Sequence, residues 1–289
     1  YLGLAQDTRD PRFAQRATEI AFLTRSPAQA LTATRLWVEL SPTSMPARQV
    51  QQLLLVATGQ WSEVEPMLQA QLNKVSPGQR ADALLQLQQQ MSKSSDPAGA
   101  VGALQRIASH DMQRPETHLA LARAKVAAKD TAGELTELDT ALKLRPGYED
   151  AAILAAELRA DSDPDAAITG LRSFLKAAPA SIDGHLALAR MYLVRNQQDK
   201  ARAEFETLKK IAPNDARITL ALGLLNLQQR QYDDAERYLK EYVTATAKSP
   251  TLSPEPGYQG LAQLAEEKRD YAGALGWVDK ITGSANGDT

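Results

Sequence analysis

Apolar positions along the chain recur at helical spacing and come in pairs. Residues 185–193 carry one such stripe, with Leu186, Leu188, Ala189, Tyr192 and Leu193. Residues 195–199 form a polar turn, and residues 201–208 carry a second stripe that includes Ala201, Phe205 and Leu208. The pattern predicts a helix–turn–helix hairpin over 182–215. Prolines mark where such hairpins stop. Pro146, Pro179 and Pro213 lie 33 and 34 residues apart, each just after an apolar helical stretch. Proline cannot continue a helix, because it lacks the N–H and clashes with the preceding turn. Alternating runs of Val, Ile and Thr are absent, so no sheet is expected and the predicted fold is all-α.

A punctuation of roughly 34 residues signals a repeat array, and the residues inside each unit repeat too. Unit 182–215 supplies Ala189, Tyr192, Ala201, Phe205 and Pro213 in order, and unit 148–181 supplies Ala155, Leu158, Ala167, Leu171 and Pro179. Unit 216–254 has Gly223, Ala235 and Leu239, with a stretched end through Pro250 and Pro254. Unit 115–147 has Ala122, Leu138 and Pro146 but Glu134 where alanine is expected; unit 255–289 has Ala262, Ala274 and Val278. This succession of small, large, alanine, bulky and proline resembles the tetratricopeptide repeat. Small residues let the two helices of a hairpin approach, and bulky ones fill the space between hairpins, which are stable only when stacked.

The first part of the chain conforms less well. Unit 11–44 keeps Ala21, Ala30 and Pro42; unit 45–80 keeps Gly59, Gln60, Trp61, Val64 and Leu68; unit 81–114 keeps Leu87, Ala100 and Leu104. The resemblance implies a right-handed superhelical solenoid of about eight hairpins. Degenerate repeats over 1–114 would continue into better-conforming repeats over 115–289 as one solenoid. Residues 1–10 read as the end of a preceding unit's second helix. The chain opens at Tyr1 without an initiator Met and reads as a fragment of a longer protein.

Charge and candidate chemistry narrow the function. The 33 basic and 35 acidic residues nearly cancel, which argues against a nucleic-acid partner. Cysteine is absent, so neither disulfides nor thiolate chemistry is available. No run approaches the roughly 18 apolar residues that would span a bilayer. His110, His118 and His185 have no ligand partner at metal-binding spacing, and His118 and His185 share one repeat position, where packing is expected. The acidic run 161–165 lacks the glycine and final glutamate of a calcium loop. It reads as a turn in which Ser162 or Asp163 caps the next helix ahead of Pro164, and Asp96-Pro97 repeats the device. The glutamines at 88–90 read as a solvated helix face. No nucleophile elbow or phosphate loop is present. The chain is therefore expected to be no enzyme, with no catalytic residue, metal or cofactor.

Function is expected in the groove that tetratricopeptide proteins line with the first helix of each hairpin. Carrying the family's groove positions across gives Leu119, Arg123 and Val126; Leu186, Arg190 and Leu193; and Arg217, Leu220, Leu224 and Leu227. For each leucine, packing against the neighbouring hairpin is the competing reading. The Lys and Asn clamp of the chaperone-binding branch is missing, because Leu119, Arg123, Leu186, Arg190, Leu220 and Leu224 stand there, which argues against an Hsp70 or Hsp90 co-chaperone. Apolar surface with a few arginines suits a peptide with apolar side chains and a carboxylate. Residues 8–21, Ala30-Leu31 and residues 37–42 also resemble the early repeats of proteobacterial outer-membrane tetratricopeptide lipoproteins. That resemblance implies a periplasmic adaptor, associated with the outer membrane, that brings a carboxyl-terminal processing serine protease to its substrates, cell-wall hydrolases among them. Contact with the membrane would run only through a lipid anchor outside this sequence. A tetratricopeptide scaffold for pilus or exopolysaccharide export is the alternative, and a cytoplasmic location stays open.

Overall fold

The structure, a computed structural model, describes residues 1–247, 249 and 251–285. Among them are seventeen α-helices and no strand. After α1 (Leu2–Thr8) the helices come in pairs. The first three pairs are α2 (Pro11–Leu23) with α3 (Pro27–Leu40), α4 (Met45–Ala57) with α5 (Trp61–Asn73), and α6 (Arg80–Met91) with α7 (Pro97–Ile107). Next come α8 (Pro115–Ala127) with α9 (Thr131–Leu144), and α10 (Glu149–Arg159) with α11 (Pro164–Ala177). The last three are α12 (Ile182–Val194) with α13 (Gln198–Ile211), α14 (Ala216–Gln228) with α15 (Tyr232–Thr246), and α16 (Glu255–Glu267) with α17 (Tyr271–Ala285). Each pair coincides with one unit of the sequence period. The chain forms two compact units, residues 1–151 and 152–289. The sequence division at 114/115 is one of motif regularity and falls elsewhere.

Most hairpins turn by one device. Arg25, Gly59, Lys129, Asn196, Arg230 and Arg269 all take positive φ, between 52° and 68°, at the end of a first helix. The following N–H reaches back to the carbonyl five residues earlier: Gln197 to Tyr192 and Gln231 to Asn226, both at 2.8 Å. This left-handed cap satisfies carbonyls that a helix end leaves open. The turns into α7 and α11 use acid and proline instead. Asp96 accepts the N–H of Gly99 at 2.9 Å and Asp163 that of Ala166 at 3.0 Å, with Pro97 and Pro164 in the first turns.

Close packing within hairpins follows one position of the first helix. It holds Ala122, Ala155, Ala189, Gly223 and Ala262 in the later hairpins, and Thr18, Gln52 and Gln88 in the first three. Ala189 is completely buried. A Cβ on Gly223 would lie 2.9 Å from the Leu239 side chain, so only glycine allows α14 and α15 to approach as they do. Thr18 is also buried and hydrogen-bonds Thr34 across the pair at 3.2 Å. Where glutamine stands, packing changes. Helix α6 has little contact with α7 and lies mainly against α8, while α7 packs on α5 and α8. A core of Leu54, Leu68, Leu84, Leu104, Leu121 and their neighbours still closes this region. The loop before α7 is pinned by the Trp61 indole, which donates to Asp96 at 3.0 Å.

Candidate functional site

First helices position the nominated side chains, and the structure sorts them into three groups. Leu119 is 0% and Leu227 5% exposed, so both lie in the packed interior and offer no groove surface. Their repeat offset matches the family's groove, but neighbouring helices cover them; Leu227 packs in a cluster with Ala235, Leu239, Leu261 and Leu264. Leu220 is half-buried against the same cluster. Val126, Leu193 and Leu224 are exposed.

The arginines separate by what holds them. Arg123 donates to Asp150 at 2.8 Å. Arg217 forms an ion pair with Asp215 at 2.7 Å, which also caps α14 through the Arg217 N–H. That guanidinium holds the Asp215 carboxyl below the usual carboxylate range, mainly by hydrogen bonding to it. Arg190 has no acidic partner among the described residues and is exposed.

Leu186 and Arg190 share one cleft of about 300 Å³ in the second unit. Asp183, Ala187 and Met191 of α12 line it with them, together with Ile153, Ala156 and Glu157 of α10 and Leu171 of α11. Leu193, Arg217, Leu220 and Leu224 do not line this cleft. The α10 residues were missed by sequence reasoning, although the repeat signals them: Ala156 stands 34 residues before Arg190, at the same offset. The cleft offers apolar surface, one free guanidinium and two carboxylates.

A second cleft, of about 410 Å³, belongs to the first unit and contains Arg123. Asp82, Leu85, Gln86, Gln88 and Gln89 of α6 complete its lining. The expectation of a solvated face at 88–90 fails for Gln88, which is 7% exposed.

The two histidines at equivalent positions are bound identically. His118 Nδ1 lies 2.7 Å from Glu137 and its Nε2 2.9 Å from the Met112 carbonyl; His185 meets Glu204 at 2.6 Å and the Pro179 carbonyl at 3.1 Å. A carbonyl and a carboxylate both only accept, so in His118 both ring nitrogens donate, Nε2 to the Met112 carbonyl and Nδ1 to Glu137. The Glu137 hydrogen bond raises the His118 pKa against the opposing effect of burial. These rings tie each first helix to the second. Among the described residues no group of three or more His, Asp or Glu could hold a metal ion, and no helix is long and apolar enough to cross a membrane.

Comparison with known proteins agrees with this architecture. Two tetratricopeptide-repeat models match residues 158–225 and 207–250. The chain is an all-α, tetratricopeptide-like helical repeat array. Such arrays are protein–protein interaction scaffolds and are typically non-catalytic. No curated protein matches the sequence. Among solved structures, PilF of Pseudomonas aeruginosa is similar at 16% identity, with a TM-score of 0.51 over 72% of this chain and 93% of that one. PilW, described as a widely conserved type IV pilus biogenesis factor, is similar at 14% identity and 0.51, over 71% and 93%. A MamA protein shares 20% identity at 0.48, over 61% and 98%. At these identities the likeness is one of fold.

Proposed function

We propose that this chain holds a peptide segment of a protein partner in the cleft between α10 and α12. The observation that carries the reading is Arg190, a guanidinium without an acidic partner among the described residues, at the edge of apolar surface from Leu186, Ile153 and Met191. A free guanidinium beside apolar side chains suits a carboxylate next to an apolar residue. Asp183 and Glu157 line the same cleft, so the ligand's anion must lie at Arg190, with N–H donors or a cation toward the two carboxylates.

The finer reading is an adaptor, periplasmic and outer-membrane associated, that brings a carboxyl-terminal processing protease and its substrates together. The resemblance of residues 8–42 to outer-membrane tetratricopeptide lipoproteins supports it. The chain's contribution would be effective concentration, because joint tethering turns an encounter into an intramolecular step. Two experiments test the reading. Leu186→Ala with Arg190→Gln weakens the purified partner's affinity at least about 30-fold, as expected for a central anchor and its charge partner. Normal affinity in the folded double variant removes the cleft from the reading. Pull-down from a bacterial envelope recovers a serine protease with a cell-wall hydrolase; pilus or export components in their place would replace the protease reading.

A further inference from the structure

Beside the turns of the α12–α13 and α14–α15 hairpins, a cleft of about 640 Å³ collects hydrogen-bonding groups that the fold leaves unused. Residues 196–200, the first of these turns with the start of α13, form one wall, and Gln229 and Gln231 of the second turn form the other. No apolar side chain lines it. Among the described residues, Gln229 Oε1 is the one buried side-chain oxygen or nitrogen without a hydrogen-bond partner. The other end of that carboxamide is held loosely, since its Nε2 donates to Asp199 Oδ1 at 3.4 Å. The last torsion of a glutamine has a broad minimum, so a small rotation turns the amide into the cleft. A ligand's donor then satisfies an oxygen that is costly to leave unmet.

We propose that this cleft binds a saccharide through the hydroxyls along one edge. Three of its carboxamide oxygens are in use: Asn196 Oδ1 accepts from Gln198 at 3.5 Å, Gln197 Oε1 from Lys200 at 3.0 Å, and Gln231 Oε1 from Arg202. The NH2 groups of Asn196, Gln197 and Gln231 donate to no described residue, while Gln229 Oε1 and Asp199 Oδ2 accept from none. The cleft therefore offers free donors and free acceptors together. A hydroxyl both donates and accepts, so neighbouring hydroxyls of one sugar ring meet both sets at once. A guanidinium or ammonium only donates; it would leave the amide NH2 groups unmet and stand near Lys200 and Arg202. A carboxylate or phosphate only accepts; it would leave Gln229 Oε1 unmet and stand beside Asp199. The volume falls within the range of about 300–1,000 Å³ usual for small-ligand sites. No aromatic side chain is in the lining, so recognition rests on hydroxyls rather than ring faces and affinity is expected in the millimolar range. The cleft shares no residue with the one between α10 and α12.

The probes are maltose, cellobiose and N,N′-diacetylchitobiose, each titrated against the full chain and followed by NMR of its side-chain amides. At least one saturates in the millimolar range and shifts the Gln229 and Gln231 NH2 signals. Gln229→Leu weakens that sugar at least about tenfold, while its melting temperature stays level or rises because the unmet oxygen is gone. Asp199→Ala, at an exposed position, weakens it as well and decides the matter if Gln229→Leu fails to fold. Arg190→Gln leaves the sugar's affinity unchanged, so failure here is distinguishable from failure of the α10–α12 cleft. Glycerol at equal concentration does not reproduce the shifts. The proposal is overturned if no sugar saturates, if glycerol gives the same shifts, or if folded Gln229→Leu and Asp199→Ala bind normally. Saturable binding of arginine amide at the same signals, lost in those variants, would also overturn it, in favour of a cationic side chain.

Discussion

The hairpins α6–α7 and α12–α13 share a repeat offset and part company at one residue. In the second, Ala189 is completely buried and the two helices lie against each other along their length. In the first, Gln88 takes the same place; α6 leans on α8, and a polar cleft opens beside it. Helices approach closely only where a short side chain permits it, and the pair that carries the longer side chain at this position stands apart. Gln52 in α4 shows that the residue type alone is not enough: a reciprocal bond with Gln71 occupies it inside its own hairpin. The clefts inherit the difference. The α10–α12 cleft is faced by leucine, isoleucine and methionine, and the α6–α8 cleft by carboxamides.

Converting the tight hairpin into the open kind gives the largest expected effect. Ala189→Gln forces a polar side chain into a fully buried site and destabilises the second unit by about 3 kcal/mol through overpacking and an unpaired amide. An unchanged urea midpoint would break the comparison, because a glutamine could then be accommodated without opening the pair.

His118 gives the next effect. It joins α8 to α9 through Glu137 and to the loop before α8 through the Met112 carbonyl. His118→Leu is expected to cost about 2 kcal/mol near neutral pH by removing a charge-assisted bond. The pH dependence has a definite sign. The histidine pKa is raised in the folded state, chiefly by its bond to Glu137, so its contribution is fully present below the ordinary histidine value and is lost as pH rises through the raised one. Glu137 is lowered by His118 and Lys125 against its burial, so its contribution is lost as pH falls through that lowered value. Thermal unfolding against pH shows the gap between wild type and variant narrowing on the alkaline side; a constant gap contradicts an imidazolium–carboxylate bond.

A smaller change runs the other way. Glu134 occupies the place where Ala167, Ala201 and Ala235 stand in later hairpins, and burial raises its pKa. Ionised Glu134 therefore disfavours the fold, and Glu134→Ala is expected to add about 0.5 kcal/mol at neutral pH. The gain shrinks in acid, where the carboxyl is protonated. A loss of stability on this substitution would show that the α8–α9 pair needs the longer side chain.

Hairpin boundaries were legible because punctuation and periodicity are local: prolines, capping acids and the spacing of small residues all act within one unit. The helices fall where Pro146, Pro179 and Pro213 predict, and Asp163 caps α11 as its Asp-Pro sequence suggests. Groove residues were legible only in part. The offset that leaves Leu186 and Leu220 half-buried buries Leu119 completely, because exposure depends on the neighbouring helices and not on the position itself. Gln88 was read as solvated because a glutamine between leucine and glutamine carries no periodic signal of shelter; its burial arises from the way α6 turns onto α8.

The turns give the smallest expected effect and the finest test of how far the hairpins are interchangeable. Five of the six left-handed turn positions carry Arg, Lys or Asn, and one carries Gly59. A side chain with a Cβ pays a steric penalty in this conformation, while glycine loses more freedom on folding. The two partly cancel, so Arg230→Gly is expected to raise stability by only about 0.5 kcal/mol. Its side chain forms no ion pair with another described residue, so little else changes on substitution. Gly59 does not allow the reverse exchange. A Cβ there would lie 2.9 Å from the Asp96 Cβ, where the loop before α7 docks against the α4–α5 turn. Gly59→Ala is therefore expected to destabilise by more than Arg230→Gly stabilises, and to loosen the loop that Trp61 and Asp96 hold. Chemical denaturation of both variants, with indole fluorescence reporting on Trp61, measures the two effects together. Equal and opposite changes would mean that backbone conformation alone sets the turn. A larger loss at Gly59 assigns the difference to the docked loop, a contact made only where α6 and α7 have parted.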